Sequence, residues 1–112
     1  MKLITAVIKP FKLDEVRLAV ADIGIQGVTV TEVQGYGAFP GRVETYRGAD
    51  YPIDFLPKAK VELAVDDSIA EQVMEAVCNV ARTGSASDGK VWILDLEQAL
   101  RVRTGETGPD AI

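Results

Sequence analysis

The sequence predicts an α+β domain of order β-α-β-β-α-β, with an antiparallel sheet backed by two helices. Three observations carry this. Four short runs are apolar on alternate residues. Two stretches repeat apolar residues at helical spacing. One long stretch rich in glycine and proline separates the second strand from the third.

Lys2 to Lys9 reads as the first strand, with Ile4, Ala6 and Ile8 on one face and Leu3, Thr5 and Val7 on the other. Both faces are largely apolar, which predicts burial on both. Pro10 ends the run because it offers no amide hydrogen to the ladder. Leu13 to Ile23 reads as a helix, with Leu13, Val16, Val20 and Ile23 on one stripe. Asp14 and Glu15 occupy its first turn, where the helix dipole favours anions, and Gly24 is a natural stop. Val28 to Gln34 is the second strand, rich in β-branched residues. Lys60 to Val65 is the third, with Val61, Leu63 and Val65 facing one way and Lys60, Glu62 and Ala64 the other.

Ser68 to Glu71 has the spacing of a capping box, with Asp67 as the other candidate cap. The helix it opens runs to about Arg82 and lines up Ile69, Val73, Val77 and Val80. Cys78, beside that stripe, reads as a small buried hydrophobe. Thr83 to Lys90 is a small polar loop, and Val91 to Leu96 is the fourth strand, again apolar on both faces. Glu97 to Leu100 is expected to make a short turn, Arg101 to Arg103 a short C-terminal strand, and Thr104 to Ile112 a partly ordered tail. The order is the ferredoxin-like plan, with the helices on one face of the sheet. The first and fourth strands are apolar on the other face as well. A second copy of the chain is expected to cover it, so the sequence predicts a homo-oligomer.

The stretch from Gly35 to Lys58 holds three prolines and all three tyrosines and keeps neither periodicity. Connections in compact domains usually run to about 4–6 residues, so a loop of roughly 20 is expected to be functional. Its tyrosines, arginines and acids suit a docking arm.

Length and composition narrow the function further. The 112 residues, 47% of them hydrophobic, fit one domain with a core, residues 1–112. No apolar run approaches the roughly 20 residues of a membrane helix, and the N-terminus lacks a signal-peptide pattern. The lone Cys78 leaves no internal disulfide and fits a reducing cytoplasm. The absence of histidine excludes histidine triads and histidine metal sites. A net charge of −5 weighs against nucleic-acid binding. An RNA recognition module shares the element order, but Lys2–Lys9 and Lys60–Val65 lack the stacking aromatics it needs. No enzyme signature is present. The enzymatic alternative is a slow ATPase dependent on Lys90.

Thr83 to Lys90 has the small residues and terminal lysine of a phosphate cradle, though its glycine spacing is not that of a Walker A loop. Arg101 and Arg103, at i and i+2 of a strand, would project to one side and suit phosphate.

Several motifs together resemble the nitrogen regulatory protein PII family. They are Lys9-Pro10-Phe11-Lys12-Leu13, Val30-Thr31-Glu32-Val33, Tyr46-Arg47-Gly48-Ala49-Asp50-Tyr51, Asp54-Phe55-Leu56-Pro57-Lys58, Asp88-Gly89-Lys90 and Arg101-Val102-Arg103-Thr104-Gly105-Glu106. The resemblance spans essentially the whole chain. It implies a homotrimer of ferredoxin-like subunits that binds ATP or ADP in competition at clefts between subunits. It implies adenine and ribose contacts at Thr29, Glu62 and Ala64. Phosphate contacts are implied around Gly37, Ser87, Asp88, Gly89 and Lys90, with Arg101 and Arg103 reaching across the interface. Residues 37–55 resemble the T-loop, which docks onto targets through residues such as Tyr46, Arg47 and Tyr51. An ammonium channel, a glutamine-synthetase-regulating enzyme, or another transporter or enzyme would be the target. Tyr51 matches the tyrosine that a nucleotidylyltransferase modifies in some members, and Ala49 stands where others carry a phosphorylated serine. Lys58 matches a 2-oxoglutarate contact.

Four departures alter these expectations. Phe39 replaces the glutamine that helps hold the magnesium bridging ATP and 2-oxoglutarate, and phenylalanine has no oxygen to offer a hard cation. Magnesium-dependent 2-oxoglutarate binding is therefore expected to be weak or absent. Phe39-Pro40 also stiffens the base of the loop. Ala38 replaces a phosphate-binding arginine. Ser87 replaces a glycine, and its Cβ is expected to hinder close approach of the backbone. An alternative reading is a paralogue that senses adenylate state or another effector outside nitrogen assimilation.

Overall fold

The computed structural model describes residues 1–37, the backbone of 43–46 and 49–52, and residues 55–112. The first strand, β1 (Lys2–Ile8), stops before Pro10, and a single 3-10 turn, Pro10–Lys12, leads into α1 (Leu13–Asp22). Gly24 ends that helix at φ 100°, and the Ile25 amide closes it by donating to the Val20 carbonyl at 3.1 Å. Then come β2 (Thr29–Tyr36), β3 (Val43–Tyr46), β4 (Ala49–Pro52), β5 (Phe55–Val65), α2 (Ala70–Ala81) and β6 (Gly89–Asp95).

Four strands form one antiparallel sheet in the order β2-β5-β1-β6, which is the ferredoxin-like topology. Register decides the faces. Ile4 lies opposite both Leu63 and Ile93, and Ala6 opposite Val61 and Val91, so these share one face. Val16 and Val20 of α1 and Val73 and Val77 of α2 close over that face, and together they make the buried core. Of the stripes that the spacing predicts, Val16, Val20, Val73 and Val77 are buried, while Leu13, Ile23, Ile69 and Val80 pack against them partly buried; Ala70 and Ala81, outside the predicted stripe, complete the buried face of α2. Cys78 sits at the edge of that face, half-buried.

The other face carries Thr29, Glu62, Thr5 and Trp92 in one row and Thr31, Lys60, Val7 and Lys90 in the next. Trp92 is 40% exposed and Leu94 is 55% exposed. The first strand is better covered: Thr5 is buried and Val7 half-buried.

The structure corrects four expectations. First, β5 begins at Phe55, not Lys60, and its first residues pair with β2 alone, because the register with β1 ends at Ala59. Second, the long connection is not aperiodic throughout: β3 and β4 pair as a two-stranded sheet from Val43↔Pro52 to Tyr46↔Ala49. Third, the C-terminal segment holds no strand at Arg101–Arg103. The Gly105 amide donates to the Arg101 carbonyl at 2.8 Å, and the Arg101 amide donates to the Glu106 carbonyl at 2.8 Å. This folds the segment into a turn with Gly105 at φ 76°, closed by a Leu100–Thr107 bridge. Beyond it, the tail is ordered as far as a 3-10 turn, Gly108–Ala111.

The fourth correction concerns the entry to α2. Asp66, rather than Ser68 or Asp67, provides the cap. Its carboxylate accepts from the Ser68 amide at 3.0 Å and the Ser68 hydroxyl at 2.6 Å, opening a 3-10 turn, Asp67–Ile69, that runs into the helix. Asp67 instead takes the N-terminal ammonium at 2.8 Å. The two bonds from Ser68 hold the Asp66 carboxyl below its usual pKa. A depressed carboxylate pKa adds stability above the unfolded value and loses it as pH falls through the folded value. Asp66→Ala is therefore expected to lower Tm at neutral pH by about 3–5 °C. That gap should close progressively below the ordinary carboxylate range. A gap independent of pH in thermal scans would show that the carboxylate is not the cap.

Candidate functional site

Gly89 begins β6 opposite Ile8, at φ 106°. A Cβ there would fall 1.7 Å from the Val7 carbonyl oxygen, so the loop can meet the sheet this closely only through glycine. Lys90, the next residue, lies opposite Val7 on the open face. The loop before Gly89 is tied by Asp88. Its carboxylate accepts from the Thr83 amide at 2.7 Å, the Gly84 amide at 2.8 Å and the Thr83 hydroxyl, and it pairs with Lys9 Nζ at 3.5 Å. The Thr83 hydroxyl and amide, more than any other neighbour, drive its pKa well below the usual carboxylate range. Asp88 thus ties the loop to itself through Thr83 and Gly84 and to the end of β1 through Lys9, and so shapes the cradle. Lys9 Nζ adds a bond to Thr83 Oγ1 at 3.2 Å.

Ser87 bonds back to Ser85: its amide donates to Ser85 Oγ at 3.2 Å, and the two hydroxyls lie 3.0 Å apart. Its carbonyl accepts from Lys58 Nζ. Lys58, on β5, is 5% exposed. Burial, and then the nearby Lys9 ammonium, push its pKa down, with Asp88 opposing.

These parts enclose a cleft of about 460 Å³ at one end of the open face. Val7, Gly35, Tyr36, Gly37, Lys58, Ser87, Gly89, Lys90 and Trp92 line it. Two lysines, two hydroxyls and a glycine-rich backbone suit an anion. Tyr36 and Phe55, opposite one another where β2 and β5 lead toward β3 and β4, make a tilted ring contact with centroids 5.5 Å apart and planes at 45°. The cleft therefore adjoins the root of the hairpin.

The expected site residues fall into separate groups. Gly37, Ser87, Gly89, Lys90 and Lys58 come together in this cleft, with Asp88 behind it. Thr29 and Glu62 pair across β2 and β5 midway along the open face, where Glu62 also lies 3.8 Å from Lys60 Nζ. Ala64 and Arg101 line a second cleft, of about 620 Å³, with Gly24, Gly27 and the C-terminal residues. Ala64 lies six positions beyond Lys58 along β5, about 20 Å at strand spacing. Arg101 and Lys90 line different clefts of the chain. Arg103 is exposed in the C-terminal turn and no longer shares a strand face with Arg101. Tyr46 lies in β3 opposite Ala49, and Tyr51 in β4 opposite Glu44. Ala38, Phe39 and Arg47 lie outside the described residues.

The polar run that ends at Lys90 is readable as a cradle in the sequence, but the roles of Lys9 and Thr83 are not. Thr83 is visible only as the first residue of that run, and nothing local in the sequence links Lys9 to it. Among the described residues, no group of three or more aspartate, glutamate or cysteine side chains is placed to hold a metal, and no helix is long and apolar enough to cross a membrane.

A four-stranded sheet with helices on one side, an open face on the other and a lysine-walled cleft beside a long hairpin defines a ferredoxin-like domain with an anion-suited cleft. The family profile for nitrogen regulatory protein P-II matches residues 1–106. Nitrogen regulatory protein P-II of Rhizobium meliloti (strain 1021) is 55% identical over 112 residues, covering all of both chains. The proteins of the same name from Rhodospirillum rubrum and Haemophilus influenzae are 54% and 53% identical over the same full length. The chain belongs to the P-II family of nitrogen regulatory proteins.

Proposed function

We propose that this chain is a non-catalytic signal transducer of the cytoplasm that binds ATP or ADP and controls a target protein through its hairpin, in nitrogen regulation. The observation that carries the reading is the cleft between Lys58, Lys90 and the Thr83–Lys90 loop, set against the root of that hairpin. The phosphates occupy this cleft, and the adenine lies toward Thr29, Glu62 and Ala64. Arg101 and Arg103 reach the phosphates from a neighbouring subunit of a homotrimer. The open face, with Trp92 and Leu94 exposed, supplies apolar surface for that association.

The described lining does not fit a magnesium ion held by the protein. Its charged side chains are ammonium groups, and the one nearby carboxylate, Asp88, is engaged by Thr83 and Gly84. With Phe39 in place of an oxygen donor, 2-oxoglutarate binding at Lys58 is weak or absent. This favours a second reading, a paralogue that reports adenylate state for a target outside nitrogen assimilation. In the first reading the target is an ammonium channel or a glutamine-synthetase-regulating enzyme. In the second it is another transporter or enzyme. In either, Tyr46, Arg47 and Tyr51 face the partner, and Tyr51 is the residue a nucleotidylyltransferase would modify.

Calorimetric titration with ATP and with ADP, each with magnesium and with or without 2-oxoglutarate, tests this. Both nucleotides are expected to bind, and Lys90→Gln is expected to weaken both at least about tenfold by removing a charge-assisted phosphate contact. No binding of either at about 1 mM would overturn the nucleotide reading. Tight binding of 2-oxoglutarate in the presence of Mg-ATP would return the protein to ordinary nitrogen sensing.

A further inference from the structure

Lys58 is the one charged side chain buried among the described residues. Its stem crosses Gly35 on the neighbouring strand, where an added Cβ would come within 3.2 Å of Lys58 Cγ. Its ammonium donates to the Ser87 carbonyl. In the sheet, β1 separates β5 from β6, so Ser87 is no ladder neighbour of Lys58. The side chain bridges past the end of β1 and joins three segments: β5, β2 and the loop. A buried ammonium needs its hydrogen bonds satisfied, and the Ser87 carbonyl supplies part of that compensation. Asp88 clamps the other side of the same loop through Thr83 and Gly84. Residues 85–87 form an arch held between these two clamps.

We propose that Lys58 is a positioning residue for the phosphate end of the cleft. By holding the Ser87 carbonyl, it fixes the arch where the loop and Lys90 together meet an anion. This rests on the nucleotide reading above, but the effect on the arch does not. A neutral side chain of similar length leaves the arch tethered on the Asp88 side alone. Arginine keeps a long cationic donor within reach of the same carbonyl.

The test compares Lys58→Met and Lys58→Arg in the full chain. Amide hydrogen exchange is measured first, without ligand. Lys58→Met is expected to speed exchange at residues 84–89 by about tenfold or more while α1 and α2 keep theirs, and Lys58→Arg to retain most of the loop's protection. Calorimetry with ADP and with inorganic pyrophosphate follows. Lys58→Met is expected to weaken both, and Lys58→Arg to restore most of the affinity. If binding weakens while exchange at 84–89 is unchanged, Lys58 acts by charge alone and the proposal falls. If the arch loosens but affinity is kept, it falls equally. If the parent protein binds neither ATP nor ADP, the nucleotide reading fails, and the exchange data alone decide whether Lys58 holds the arch. Should methionine prevent folding, Lys58→Gln supplies the same two readouts.

Discussion

Gly89→Ala is expected to cost at least about 3 kcal/mol, a large share of the roughly 5–15 kcal/mol that holds a domain of this size together. Two penalties combine. The backbone sits at φ 106°, outside the regions an L-residue adopts readily. The new Cβ would also lie 1.7 Å from the Val7 carbonyl oxygen and 2.9 Å from its carbon. Neither neighbour is a side-chain end that can swing away; both belong to β1, in the middle of the sheet. Relief requires parting β6 from β1 at the Ile8–Gly89 and Val7–Lys90 rows, which also displaces Lys90 from the cleft. Gly84 is the internal control, with φ 88° and nothing within 4 Å of the place a methyl would take. Gly84→Ala meets backbone strain without a clash and should cost about 1 kcal/mol. Urea unfolding of the two variants measures the difference. Equal midpoints would show that the close approach at Val7 does not exist in solution.

Ile4→Ala is expected to cost about 3 kcal/mol, within the range seen for large-to-small changes in packed cores. Ile4 is fully buried in a central strand, flanked in register by Leu63 and Ile93 and covered by the helices. The sheet backbone is held by ladder bonds on both sides of β1, so it cannot collapse into the space left, and the cavity term persists. A loss below about 0.5 kcal/mol by chemical denaturation would mean that the site relaxes freely, contrary to its placement at the centre of the core.

The parts of the fold that a single period describes are legible in the sequence. Ile4, Ala6 and Ile8, and Val61, Leu63 and Val65, alternate because one face of the sheet is packed under helices. Val16, Val20, Val73 and Val77 repeat at helical spacing for the same reason. Legibility fails where other forces decide. Pro57 and Lys58 break the pattern at the start of β5, yet the strand continues, because at that row it has one neighbour instead of two and the ladder loses least. The β3–β4 pair is hidden by flanking glycines and prolines, although Val43, Thr45 and Tyr46 favour strands and two residues separate the pair. Arg101-Val102-Arg103 imitates strand alternation, but Gly105 lets the chain turn back at φ 76°. In the site, Gly89 and Lys90 announce a cradle by composition. The assignment of Asp88 to the loop itself, and of Lys58 to the Ser87 carbonyl, depends on which distant segments meet, which no local pattern encodes.

Trp92 is the only tryptophan in the chain, and it forms part of the cleft wall beside Lys90 and Tyr36. The indole is 40% exposed, so water reaches it in the isolated chain. Whatever fills the cleft changes the surroundings of that one ring, and excitation at the indole band, where the three tyrosines absorb little, draws the emission of each copy from it. The molecule thus carries its own optical gauge of occupancy. Excited at the indole band, it can report ligand entry and, at its neighbouring open face, the arrival of another copy, without a label or a second chromophore to separate.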